Sequence, residues 1–189
     1  MRTLMRWALT PAVVLTLAAC GGGDDKEAAG TAAAPSPQTL AATVQGADGF
    51  DTLEGVLSNT GLTTVLEGKG PYTVFAPADA AFTAAGDDLT SEAMRAEAAA
   101  VLRAHIVPGA LTRSDISAAL DRANGEGVEM RTMADSLLTF TRDGPAIVVT
   151  AADGARARLS GEETLASNGV LQPIDALLVP PEVPATPAA

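Results

Sequence analysis

The chain runs to 189 residues, 47% of them hydrophobic but only 3% aromatic, with 12 basic against 23 acidic side chains. That length allows one ordinary globular domain, and a formal net charge of −11 excludes a protein built chiefly to hold nucleic acid, which needs a basic face against phosphate. One cysteine cannot close an internal disulfide, and one histidine with one cysteine cannot furnish a Cys/His zinc site.

The first nineteen residues read as an address. Arg2 and Arg6 form a positive start, and the uncharged stretch from Trp7 to Ala19 is too short to span a bilayer, which is the pattern of a secretory signal. It closes as Leu17-Ala18-Ala19-Cys20-Gly21, which resembles the bacterial lipobox. The resemblance implies cleavage after Ala19, a thioether diacylglycerol on Cys20 and an N-acyl chain. The alternative is a cut near an Ala-x-Ala-like site that leaves a free thiol. One acyl chain binds membranes only marginally, whereas two or three hold stably. Loss of residues 1–19 takes Arg2 and Arg6 with it and leaves ten basic against 23 acidic residues, a charge of −13. The expected anchor is therefore lipid and not charge. Gly21 is not the aspartate that often marks inner-membrane retention, so in a diderm source the expected address is the outer membrane.

Residues 20–38 are rich in Gly, Asp, Ala, Thr, Ser and Pro without a large apolar side chain, and read as a flexible tether. Residues 182–189 form a Pro/Ala tail. Between them, residues 39–181 suffice for a single core that buries roughly two-thirds of the unfolded surface.

Taken in chain order, Asp51 and Glu54 form a capping-box pattern for a helix carrying Leu53, Val56 and Leu57 and stopped at Asn59-Thr60-Gly61. Leu62, Val65 and Leu66 form a second short apolar group, ended by the turn Gly68-Lys69-Gly70-Pro71. Tyr72–Pro77 is a β-type run closed by proline. The longest helix is expected to start near Thr90 or Ser91, to carry Met94, Ala98, Val101, Leu102, His105 and Ile106, and to end at Pro108-Gly109. Thr112 and Asp115 then form a capping box for a helix with Ile116 and Leu120 inward and Asn124-Gly125 as its stop. From Val128 the period becomes two. Two Asp-Gly turns, Asp143-Gly144 and Asp153-Gly154, predict a three-stranded antiparallel meander. A last strand follows Asn168-Gly169 to about Val179, and Pro173 within it points to an edge or a bulge. Helices first and strands later make an α+β domain.

Three segments resemble the fasciclin (FAS1) family. The first signature is similar to Gly70-Pro71-Tyr72-Thr73-Val74-Phe75-Ala76-Pro77-Ala78-Asp79-Ala80-Ala81-Phe82, the central histidine segment to Leu102–Gly109, and the second signature to Asn168–Asp175. The resemblance implies a single FAS1-like domain, a helical layer packed on an antiparallel β-wedge, used mostly outside the cell for adhesion, matrix attachment or partner binding. Its motif positions are Thr73, Phe75, Pro77, Asp79, Phe82, His105, Pro108, Gly109, Asn168, Gly169 and Asp175. Their residue types already suit structural work: Phe75 and Phe82 as core anchors, Asp79 as a cap for the turn or short helix that follows, and Gly169 as a turn residue. His105 falls on the buried face of its helix without a nucleophile elbow, thiol or metal set beside it, so a satisfied core histidine is expected.

Departures from the family pattern bear on partners. Ala104 stands where integrin-binding members carry a tyrosine, and Glu163-Thr164 where they carry an aspartate-isoleucine pair, so integrin recognition is not expected. Gln172 replaces a common histidine, and Arg142-Asp143-Gly144 is not the Arg-Gly-Asp order. The adjacent acids Glu162-Glu163 and Asp87-Asp88 are solvated runs, and neither builds a calcium loop. Arg156 and Arg158 share one strand face, where they meet an anionic partner or soften the acidic field. The expectation is a non-catalytic lipoprotein without cofactor or metal, held to the membrane through Cys20 and binding a protein, matrix or polymer partner. The second reading is a carrier of a small apolar, carotenoid-like ligand, against which the sparse aromatic supply counts.

Overall fold

The computed structural model describes residues 35–86 and 88–178; the leader with Cys20, most of the tether and the tail lie outside the described residues. The last tether residues that are described are tied down. Ser36 N–H donates to Leu165 O at 2.7 Å, and Gln38 O accepts from Ser167 N–H at 2.8 Å.

The helical layer consists of α1 (Leu40–Gln45), α2 (Asp51–Thr60), α3 (Thr63–Glu67), α4 (Asp79–Ala85) and α5 (Arg95–Ala104), the last entered through a 3₁₀ turn at Glu92–Met94. Thr39 starts α1 by accepting the Ala42 N–H on its hydroxyl. In α2, Leu53, Val56 and Leu57 share the buried face, and Gly61 at φ +74 ends the helix in the left-handed conformation that glycine tolerates best.

The capping box expected at Asp51 and Glu54 does not form. Phe50 is the cap residue, Asp51 is already helical, and the free Thr52 N–H is taken by Asp79 Oδ1 at 2.8 Å. Helix α5 is shorter than its apolar periodicity suggests. It ends at Ala104 with His105 as its cap, because Ile106 and Val107 are drawn into a strand. β-branched residues lose less there than in a helix.

Two four-stranded sheets complete the domain. The strands are β1 (Tyr72–Pro77), β2 (Ile106–Pro108), β3 (Val128–Arg131), β4 (Leu137–Asp143), β5 (Ala146–Ala151), β6 (Arg156–Arg158), β7 (Thr164–Ala166) and β8 (Gly169–Ile174). The first sheet has the order β2-β1-β8-β7, the second β3-β4-β5-β6. The α+β architecture is as read from the sequence. The meander forms as β4-β5-β6, with β3 added antiparallel at its edge. Its first turn is displaced by one residue, since Asp143 still pairs with Ala146 and the loop is Gly144-Pro145, with Gly144 at φ +59.

Within the first sheet β1 and β8 run parallel, in register from Tyr72↔Gly169 to Pro77↔Ile174. Strand β8 is therefore central and not an edge, and it ends at Ile174, short of Val179. Pro173 is accommodated because β7 pairs only as far as Leu171, which leaves that side of β8 free of a continuous partner from Gln172 onward.

Strands β1 and β8 are buried on both faces and divide two cores. Val74, Ala76 and Leu171 face the helical layer with Leu40, Leu53, Leu66, Phe82 and Leu102. Phe75 and Ile174 face the second sheet with Phe140, Val149 and Leu178, and with Ile116 and Leu120 of α6 (Arg113–Arg122). Helix α6 opens on the expected capping box of Thr112 and Asp115. The phenylalanines on either side of Pro77 thus anchor different cores, and Phe75 meets Phe140 with ring centroids 5.4 Å apart.

The parallel pairing requires a glycine at its first position. A Cβ on Gly169 would stand 1.9 Å from Tyr72 O and 2.7 Å from Leu40 Cδ1, whereas one on Gly86 would meet nothing within 4 Å. Gly169→Ala is expected to lose at least about 3 kcal/mol in urea unfolding through this backbone clash. Gly86→Ala should lose only about 1 kcal/mol, from its left-handed conformation.

Candidate functional site

The three motif segments meet around the β1–β8 pair, and at each end a side chain from one segment satisfies the backbone of another. At the start of the pair, Asn168 reaches three segments. Its Oδ1 accepts Leu40 N–H at 2.8 Å, and its Nδ2 donates to Leu66 O and Gly68 O, each at 2.7 Å. Its own carbonyl accepts Tyr72 N–H at 3.1 Å. One amide side chain thereby caps α1, binds the end of α3 and sets the register of β1.

Thr73 does similar work on the β2 side. Its fully buried hydroxyl donates to Gly109 O at 2.7 Å and accepts Leu111 N–H at 2.8 Å. Pro108, expected to stop a helix, pairs instead with Tyr72 in β2, and Gly109 follows at φ +111 with its N–H on Pro71 O. Asp79 does not cap its own helix; Ala78 holds that position. Its carboxylate accepts from Thr52, and its N–H donates to Gly49 O at 3.0 Å, so it caps α2 from across the chain. Asp175 Oδ1 accepts Arg158 N–H at 2.7 Å and fastens the end of β8 to β6.

His105 is completely buried. Its Nδ1 lies 2.8 Å from Val101 O, and its Nε2 accepts Leu178 N–H at 3.0 Å. An acceptor at Nε2 leaves the single proton of the neutral ring on Nδ1, where it binds the helix carbonyl. Both ring nitrogens are committed to backbone. Burial pushes the imidazole pKa down to about 4, only partly countered by the Val101 carbonyl.

The sequence did not foretell a fourth cluster, which centres on Arg113. Its Nε donates to Gln172 Oε1 at 3.1 Å, and its terminal nitrogens donate to Gly161 O at 2.7 Å and Ser160 O at 2.5 Å. Gln172, fully buried, donates to Leu111 O and to Glu163 Oε2, which also accepts Arg113 N–H at 2.7 Å. The one signal available was Gln172, a polar side chain inside an apolar strand. Glu163, at the integrin-pair position, is engaged here, and Ala104, at the tyrosine position, is buried.

This arrangement ties loops to strands and offers no reacting geometry. The imidazole has no free lone pair. The Thr73 hydroxyl and the Asn168 amide point at main chain. Among the described residues no three His, Cys, Asp or Glu side chains gather to hold a metal ion. Among the clefts along these residues are ones of about 360 and 270 Å³, lined by Asp143, Arg156, Arg158 and Asp175 in the first and by Asp121, Glu126 and Arg142 in the second.

Comparison with known proteins bears on the same segments. The family model for the fasciclin domain matches residues 48–180. The chain belongs to the fasciclin domain family. It is 30% identical over 155 residues to protein sll1483 of Synechocystis sp., covering 79% of this chain and 78% of that protein. It is also 30% identical over 139 residues to transforming growth factor-beta-induced protein ig-h3 of Sus scrofa, covering 70% of this chain but 18% of that one. With human stabilin-1 it shares 27% over 150 residues, 77% of this chain and 5% of the other, so it spans a small part of either animal protein. Among solved structures, a FAS1 domain pair from the insect cell adhesion molecule fasciclin I superposes with a TM-score of 0.64 at 15% identity, over 75% of this chain and 51% of that chain. At that identity the likeness speaks for the fold.

The buried histidine of this fasciclin domain makes its stability depend on pH. Its folded pKa of about 4 lies below the ordinary 6.5, so the unfolded chain takes up the proton first. The contribution is fully present above pH 6.5 and is lost as pH falls toward 4. Between pH 7 and 5, above the usual carboxylate range, the native protein should lose about 2 kcal/mol. His105→Gln should be less stable at pH 7 and should lose this slope, as measured by urea unfolding at each pH.

Proposed function

We propose that this protein is a non-catalytic, lipid-anchored binding or adhesion lipoprotein of the cell envelope, with one fasciclin domain held beyond the membrane by a tether. The observation that carries the reading is the use of the motif side chains. Thr73, His105 and Asn168 spend their polar atoms on the protein's own backbone, and Asp175 commits one carboxylate oxygen in the same way. What the domain offers to other molecules is then its outer surface, which suits binding. The family supports the same reading, since fasciclin I is described as a cell adhesion molecule.

Anchoring rests on the lipobox-like Leu17–Gly21 and the single cysteine within it. Two or three acyl chains would hold an acidic body at a membrane that does not attract it by charge. Gly21 favours the outer membrane in a diderm source. A carotenoid-like ligand finds little support, because the clefts of about 360 and 270 Å³ are lined largely by charged and small residues.

The anchor is tested by intact mass and fractionation of the full chain expressed in a diderm bacterium. The expected product starts at Cys20, carries the mass of its acyl chains and stays with membranes through a high-salt wash, while Cys20→Ser is released or remains uncleaved. An unmodified Cys20 in a soluble wild-type protein would contradict the proposal.

A further inference from the structure

The outermost strand of a sheet turns a row of N–H and C=O groups away from its neighbour, a template for a further strand unless the chain covers or blunts it. The outer strands here are β2, β7, β3 and β6. At β7, Leu165 O and Ser167 N–H are taken by Ser36 and Gln38. At β2, Pro108 has no N–H to offer and Ile106 O accepts Met133 N–H at 2.8 Å. At β6, Asp175 takes both main-chain groups of Arg158: its N–H donates to Arg158 O at 3.2 Å, and its Oδ1 accepts Arg158 N–H at 2.7 Å.

Strand β3 is the exception. Thr132 N–H donates to Ser136 O at 2.9 Å and so continues the β3–β4 register, while Met133 N–H turns the other way, to Ile106. Antiparallel strands alternate these directions residue by residue. Val128 and Met130 therefore bond β4, and the main-chain groups of Glu129 and Arg131 point outward. Among the described residues nothing takes those groups. The side chains at the two positions share one exposed face and carry opposite charges. Glu129 has no ion pair among the described residues, and Arg131 holds the exposed Asp135 through Nη1 alone.

This pattern complements itself. A second β3 laid antiparallel about Met130 sets Glu129 opposite the second copy's Arg131, and Arg131 opposite its Glu129. Outward groups then meet outward groups, so each facing pair exchanges both of its main-chain hydrogen bonds. Sliding the pairing by one residue matches outward groups with inward ones, and sliding it by two sets Glu129 or Arg131 against its own kind, which destabilises. The same operation fails at β6, where the outward residues are Arg156 and Arg158, cation against cation. The chain's other segments lack the residues for the role. Residues 179–189 include Pro180, Pro181, Pro184 and Pro187, and residues 21–34 are mainly glycine, alanine and acids. Two acidic bodies repel, but physiological salt screens that field beyond about 8 Å, while the facing pairs lie within it.

We infer that β3 is a self-association edge, through which two copies of this chain join their second sheets into one continuous antiparallel sheet. On the inner face the half-buried Met130 meets the second copy's Met130, so that each covers the other. The edge is short and the pair is weak in dilute solution; it is populated where copies are concentrated, as on a shared membrane. In that respect the inference rests on the anchored binding role proposed above, and it names one partner for that role.

The test is disulfide trapping of the full chain in washed membranes of a diderm bacterium. In the pair, position 130 faces its own copy at a non-hydrogen-bonded site with Cα atoms about 4.5 Å apart, within reach of a disulfide. Met130→Cys should give a covalent dimer on mild air oxidation, and Arg95→Cys, on the exposed surface of α5, should give far less. Glu129→Arg added to Met130→Cys should cut the dimer about tenfold, and further addition of Arg131→Glu should restore it to within about twofold, with urea midpoints unchanged. Dimer is counted above that of wild type, whose one cysteine is Cys20, so a free Cys20 counts against the anchor and not against this pairing. If the chain stays out of the membranes, the anchored reading fails by itself, and the same variants are oxidised as concentrated purified protein with the same results deciding. Equal trapping at positions 130 and 95, no loss with Glu129→Arg, or no recovery with the double charge swap overturns the inference.

Discussion

The architecture depends on a single close approach, the seating of Gly169 against Tyr72 at the start of the parallel pair. The carbonyl of Tyr72 lies where a side chain at position 169 would begin, and Asn168 closes the junction by binding Leu40, Leu66, Gly68 and Tyr72. Parallel strands need a long crossover, so this pairing closes a loop that contains most of the domain. A contact of such low local probability is held by buried, fully satisfied hydrogen bonds, which are costly to break individually.

Once β1 and β8 are joined, they form a wall with a core on each side, and the other motif residues fasten loops to that wall. His105 draws in Leu178 where the described chain ends, Thr73 holds the turn after β2, and Arg113 with Gln172 holds the loop before β7. A motif in this family therefore reads first as a set of backbone fastenings.

Local structure was legible where its cause is local. The capping box at Thr112 and Asp115, the meander turns and the run Tyr72–Pro77 depend on residues within a few positions of one another, and they form as read except that the first turn moves one residue on, to Gly144-Pro145. Structure set by distant partners was not. The cap of α2 comes from Asp79, 27 residues beyond Thr52, and Ile106 leaves its helical register because β1 offers a strand partner. The centrality of β8 was hidden for a similar reason. Pro173 argues for an edge, and only the early end of β7 explains how a proline fits there. Of the candidate site, His105 and Asn168 could be singled out by type and motif, but the Arg113 cluster has no periodicity and had to be seen in space.

The central claim is that the Asn168 and His105 fastenings belong to the last structure to open, and native-state hydrogen exchange of the full chain tests it most directly. The amides of Leu40, Tyr72 and Leu178, which these fastenings hold, should exchange only through global unfolding and share its free energy and denaturant dependence. Exchange of those amides through a low-energy local opening, while the β4–β5 ladder stays protected, would contradict the account.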